Sequence, residues 1–275
     1  MYRFLFSARW FGWLAMVMVI AAGCVGLGRW QLDRREAVVE DIQRIEANYD
    51  AAPERYAPGE NGFDSYDASR EWTPITFEGT YDVENQVIVR NRPLNGQPGY
   101  EVLTPLKLED GTAVIIDRGW LPIGNVEAGR PDEIPAPPAG RVEVTARMKP
   151  GEPAVNRGAP EGQVASIDLQ ALAATLDYPV QDAAYGLLAL ERPAAAQTPV
   201  AAPKPSIDEG PHLSYSMQWF AFGVLAFVGL GYAARQQRRS DSEQDGSDLR
   251  QPVRPRRRPS SEDEEDAILD SQGIR

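Results

Sequence analysis

Residues 100–116 read YEVLTPLKLEDGTAVII, two runs of strand-forming residues either side of Asp110-Gly111. β-Branched and aliphatic side chains fill residues 100–108 and 112–116. Asp-Gly suits a two-residue hairpin, because both central positions of such a turn need positive φ, which Gly and Asp tolerate best. The segment is expected to form an antiparallel hairpin with a two-residue turn. Working outward, residues 75–81, 86–90 and 142–148 carry further strand signals; Val87 and Val89 alternate in one, and Val142, Val144 and Ala146 alternate with Glu143 and Thr145 in another. Residues 185–190 are a further strand or a buried segment, and 168–176 a short helix. Residues 53–70, rich in Pro, Gly, Asp and Ser without periodicity, read as a loop, and the Ala- and Pro-dense run 193–205 as a linker. No internal repeat is visible. The fold class expected is α+β, with a mostly antiparallel β domain.

Flanking this domain are two uncharged runs, nineteen residues at 10–28 and twenty-two at 213–234. At 1.5 Å per residue they reach about 28 and 33 Å, against a hydrocarbon core of about 30 Å. Both are expected to be transmembrane helices. Arg235, Arg238 and Arg239 close the second run, whereas only Lys204 precedes it at short range, which places the C-terminal side in the cytoplasm. With two spans, Arg3 and Arg9 lie on that side too. Arg29, Arg34 and Arg35 pull the other way, so the second helix decides the orientation. The expected layout is a cytoplasmic N-terminus (1–9), a span (10–28), an exported domain (29–212), a second span (213–234) and a disordered cytoplasmic tail (235–275), with the chain in a cell membrane. Past the first span, Val38, Ile42, Ile45 and Tyr49 form one apolar stripe and Glu40 and Arg44 an i, i+4 pair, so this helix is expected to continue as a stalk.

Charge narrows the function. Residues 29–212 hold 17 Lys and Arg against 30 Asp and Glu, so the net −12 of the whole chain belongs to the exported domain. A nucleic-acid surface is excluded on that balance. The single cysteine, Cys24, lies within the first span, so the exported domain forms no internal disulfide. An alternative reading takes residues 1–24 as a signal peptide, with Ala21-Ala22-Gly23-Cys24 resembling a lipoprotein cleavage box; the apolar run, however, continues through Gly28. In the tail, Arg254 and Arg256 to Arg258 precede a block of acids at 262–266, a pattern that stays solvated, with its basic residues near anionic membrane lipid.

Three groups of segments, taken together, resemble the surfeit locus protein 1 family. The first is Leu27-Gly28-Arg29-Trp30-Gln31-Leu32-Asp33-Arg34-Arg35, at the exit of the first span. The second comprises Gly79-Thr80-Tyr81-Asp82, Val89-Arg90-Asn91-Arg92, Gly99-Tyr100-Glu101-Val102-Leu103-Thr104-Pro105-Leu106 and Asp117-Arg118-Gly119-Trp120-Leu121-Pro122. The third is His212-Leu213-Ser214-Tyr215-Ser216-Met217-Gln218-Trp219-Phe220, at the entrance to the second. The resemblance covers roughly residues 26–234. Residues 50–71 are longer and more acidic than the family's usual link, and Ser216 stands where Ala is more usual. What the resemblance implies is a chaperone role in assembly of haem-copper cytochrome c oxidase in the respiratory chain, with haem A bound transiently. The implied partners are oxidase subunits and the haem-A-producing enzyme.

His212, the chain's only histidine, is the candidate haem-iron ligand that this resemblance implies; it lies one residue before the second run, and neutral imidazole ligates iron well. Tyr215 and Trp219, three and seven residues on, fall on the same helical face and could pack against a macrocycle; equally, aromatic residues gather at membrane interfaces as anchors. Arg118 could meet a propionate or pair within its own domain. Arg29, Trp30 and Gln31 read as boundary anchors. Catalysis finds no support: there is no Cys pair, phosphate loop or nucleophile elbow, and a Ser-His-Asp arrangement would need His212 itself. Beside the oxidase-chaperone reading stand a membrane scaffold for oxidase subunits that never touches haem, and a lipid-anchored exported binding module. The small pairs Ala22/Gly26 and Gly229/Ala233 lie at opposite depths, so they cannot meet one another and could each receive a partner helix.

Overall fold

Apolar and polar residues alternate along the strands because successive side chains point to opposite faces, and that period builds the body of the protein. The computed structural model describes residues 6–248 and places them in two compact units, one spanning residues 33–212 and the other the helical ends on either side. The elements are α1 (Ala8–Asn48), β1 (Glu54–Arg55), β2 (Pro74–Tyr81), β3 (Val87–Arg90), β4 (Gly99–Leu108), β5 (Ala113–Pro122), β6 (Arg141–Pro150), β7 (Gln163–Val164), α2 (Leu169–Ala173), β8 (Val180–Arg192) and α3 (His212–Asp248). The expected α+β class, with a sheet domain between two apolar helices, is borne out.

Five strands close into a barrel. β2 pairs with β6, β6 with β8, β8 with β5 and β5 with β4, and β4 returns to β2 through Gly79↔Leu108, Thr80↔Lys107 and Tyr81↔Leu106. All these pairs are antiparallel except β5 with β8. Counted in chain order, the barrel strands run first, second, third, fifth, fourth and back to first, the Greek-key order of an OB-type barrel. Closure removes the open edges of these strands. Irregular registers at Glu101/Leu103, Val114/Ile116 and Thr145/Ala146 supply the bends it needs. β5 is buried on both faces: Val114 and Ile116 join the barrel interior, while Ile115 packs outward under α2 with Leu103, Ile167, Leu169 and Leu172. Asp168 caps α2 by accepting from the Ala171 N–H at 3.0 Å.

Two expectations change here. The turn between β4 and β5 has three residues, not two. Leu108 N–H donates to Thr112 O at 2.8 Å and Gly111 N–H to Leu108 O at 3.2 Å, with Gly111 alone at positive φ (85°). This is a type I turn followed by a left-handed glycine. Asp110 needs no positive φ; its Oδ1 instead accepts from Thr112 N–H (2.8 Å) and Oγ1–H (2.7 Å). The second change concerns residues 53–70, which do more than connect. Phe63 is 1% exposed, sits edge-on to Phe77 at 5.1 Å between ring centroids, and closes the barrel interior with Tyr56 and Tyr66 packed alongside.

The stalk also differs in detail. Ile45 and Tyr49 are buried as the stripe predicts, but Arg44 turns to Asp41 and to Glu71 (3.5 Å) rather than to Glu40. Arg147 stacks on the Tyr49 ring at 3.8 Å and donates to Tyr49 O at 2.9 Å, fixing the stalk's end. The linker is pinned midway, where Trp120 and Val200 exchange backbone hydrogen bonds of 2.8 Å each way.

In the other unit, α1 and α3 are each long and apolar enough to cross a membrane. They meet through small residues. Gly223 lies against Cys24, and Gly28 lies under the Phe220 ring so closely that a Cβ would come within 2.7 Å of it. Ser216, fully buried, donates its hydroxyl to Gly28 O at 3.0 Å. Gly26 and Gly229 have no neighbour within 4 Å of a built Cβ, so the two small pairs noted in the sequence do not form this contact. α3 continues past residue 234 to Asp248, helix where a disordered tail was expected, with Gln237 donating to Asp241 at 2.9 Å across one turn. The charge blocks at 254–258 and 262–266, and Arg3, lie outside the described residues.

Candidate functional site

His212 opens α3 and is half-buried. Gly210, two residues before it, has positive φ (68°), the conformation that favours glycine, and a Cβ built there would make only ordinary contact with the imidazole, 3.6–3.7 Å from Cδ2 and Nε2. Asp208 accepts from Gly210 N–H at 2.8 Å and holds this approach to the helix. One helix turn on, Tyr215 is 49% exposed; Trp219, half-buried, meets Phe222 edge-on at 5.9 Å. As a donor set this would offer haem iron one ligand: a single imidazole, partly exposed, with exposed aromatic surface following on the same helix.

Arg118 lies elsewhere. Its side chain is wholly enclosed on the barrel's interior side, where Nη1 donates to Pro135 O at 2.7 Å and Nη2 lies 4.0 Å from Glu191 Oε1. Tyr81 donates its hydroxyl to Glu191 Oε2 at 3.2 Å, and the guanidinium sits 5.6 Å from the Tyr81 ring. Burial, then the Glu191 charge, push the Tyr81 phenol up, while burial draws Arg118 down. Of the sequence candidates, then, His212, Tyr215 and Trp219 share α3, and Arg118 pairs within its own domain. Trp30, midway along α1, is exposed.

A second polar cluster was not singled out from the sequence. Arg92 bridges Glu101 (2.9 Å) and Glu152 (2.5 Å), and Trp120 Nε1 donates to Arg92 O at 2.7 Å. Beside them Asp117 is 2% exposed and accepts from Gly119 N–H at 2.9 Å. Burial, reinforced by the Glu101 charge, pushes its carboxyl up to about 8, and burial raises Glu101 as well. The signal was present in Asp117-Arg118, two charges inside an otherwise apolar strand. Opposite in sense is Asp82: burial works against its charge, but hydrogen bonds from Lys107, Asn85 and Tyr178 bring it down to about 2. No group of three or more potential metal ligands occurs among the described residues.

A closed β-barrel framed by two helices of membrane-crossing length, with its only histidine at the head of the second, defines the class of this protein. The SURF1 family model matches residues 18–224, and the chain belongs to that family, a family of cytochrome oxidase assembly factors. Uncharacterised SURF1-like proteins of Mycobacterium bovis and Mycobacterium tuberculosis are each 30% identical over 240 residues, covering 81% of this chain and 83% of theirs. A SURF1-like protein of Dictyostelium discoideum is 29% identical over 100 residues, covering 34% of this chain and 37% of its own.

Proposed function

We propose that the chain is a chaperone for assembly of haem-copper cytochrome c oxidase, and that His212 holds haem A on its way to the catalytic subunit. The observation that carries this is the position of the only imidazole, at the first residue of the second apolar helix, where a lipid-soluble ring system and its acidic side arms can part between hydrocarbon and water. Haem A supplies the oxidase with its redox and oxygen-binding centre. His212 would donate Nε2 or Nδ1 to the iron, and Tyr215 and Trp219 would offer ring surface to the macrocycle. Arg118, enclosed in the barrel, is assigned to holding Glu191 and the loop at Pro135.

In this reading both helices cross the cell membrane with both termini in the cytoplasm, and residues 29–212 face outward to meet oxidase subunits or the haem-A-producing enzyme. The chain acts as a carrier and not as an enzyme. The test is a deletion strain complemented with wild type or His212→Ala, scored for oxidase activity and haem a absorbance, together with the Soret band of the purified chain. The variant is expected to lose the Soret band and most oxidase activity at unchanged protein level. Retained activity without the band would favour a scaffold that binds subunits only. Normal oxidase in the deletion strain would remove the assembly role altogether.

A further inference from the structure

Helices α1 and α3 touch where both present small residues, at Cys24, Gly28, Ser216 and Gly223, and part where they do not. Toward the start of α1, Trp13 and Met16 face Gly229 and Ala233, and a cleft of about 500 Å³ opens between the helices. That is within the ~300–1,000 Å³ typical of small-ligand pockets. Polarity changes along its length. Trp13, Met16, Val17, Gly229, Leu230 and Ala233 line it with hydrocarbon and aromatic surface, and toward the start of α1 and the later part of α3 the lining is Arg9, Gln236 and Ser240. Arg9 is exposed and makes no ion pair with any described residue. Arg235 and Arg239 add to the positive field along the same stretch of α3, whereas Asp241, which accepts from Gln237, is the one carboxylate in residues 235–242.

We propose that this cleft is a binding site for one anionic phospholipid, its phosphate at Arg9 and an acyl chain along Trp13, Met16, Gly229 and Ala233. The gradient from cation to amide and hydroxyl to bare hydrocarbon within one groove matches that of a lipid molecule from headgroup to tail. An uncharged partner helix would bury Arg9 without a counter-charge, and a free anion would leave the apolar wall uncovered.

Native mass spectrometry of the full-length protein in detergent tests this, with phosphatidylglycerol and phosphatidylcholine of the same acyl chains as probes. One phosphatidylglycerol is expected to stay bound under activation that strips phosphatidylcholine, and millimolar inorganic phosphate should not displace it. Arg9→Gln is expected to weaken phosphatidylglycerol binding about fivefold, and Arg9→Lys to restore most of it. Gly229→Leu projects into open space, since a Cβ there meets nothing within 4 Å, and should remove the bound lipid with helix content intact. Equal retention of the two lipids, displacement by phosphate alone, or unchanged binding in both Arg9→Gln and Gly229→Leu would overturn the proposal.

Discussion

The barrel and the helix pair hold themselves together by opposite means. In the barrel, large side chains fill an enclosed interior: Phe63, Phe77, Ile75, Leu106 and Met148 are each almost wholly removed from water. In the helix pair the contact is made where side chains are missing, at Gly28 and Gly223, and one hydroxyl supplies its polar link. The contrast follows from the surroundings. Water rewards removal of apolar surface, whereas in lipid a leucine gains little by turning from an acyl chain to another leucine, so close backbone approach and hydrogen bonding decide. Two parts of one chain thus need different reading rules.

Three variants break or sharpen this contrast. Phe63→Ala empties the position that closes the barrel and is expected to cost about 3–5 kcal/mol, read as a fall in the denaturation midpoint of the barrel's near-ultraviolet signal; a loss below about 1 kcal/mol would mean that residues 53–70 cover the barrel without filling it. Asp117→Asn tests how much buried charge the barrel tolerates. The native carboxyl titrates near 8 against about 3.9 unfolded, so the folded state binds the extra proton between these values and stability falls as pH rises through that window. The Asn variant keeps an oxygen for Gly119 N–H and should flatten the fall in Tm between about pH 4 and 8; an unchanged slope would assign the pH dependence to Glu101 or another group. The smallest effect is expected from Ser216→Ala, about 0.6 kcal/mol by unfolding in mixed detergent micelles, the average for a polar contact within a membrane. A loss above about 2 kcal/mol would make the hydroxyl, rather than the close approach of Gly28, the principal contact.

Much of the barrel was legible because its strands obey a local period. The hairpin of β4 and β5, the alternation in β6 and the short helix from residue 168 all follow from neighbours a few residues apart. Closure was not, because it rests on three pairs between β2 and β4 that lie at least twenty-five residues apart in sequence, and no local pattern encodes them. Phe63 was hidden for a similar reason: it is a lone aromatic among Gly, Asn, Asp and Ser, with no period to mark it as core. The turn type was misread because Asp-Gly also fits the last two places of a three-residue loop. Of the site candidates, His212 stood out through being the only histidine. Arg118 was ambiguous until its partners Pro135 and Glu191, seventeen and seventy-three residues on, fixed it inward.

The domain's first and last residues end side by side. Arg35 reaches Glu209 at 2.6 Å, and Lys204 reaches Asp50 at 2.6 Å. Each such surface pair is worth little in stability, yet the arrangement has an architectural result. Entry and exit at one place make residues 33–212 a cassette: it can be lengthened, trimmed or exchanged for another body whose ends meet likewise, without re-cutting the sequence on which it is mounted.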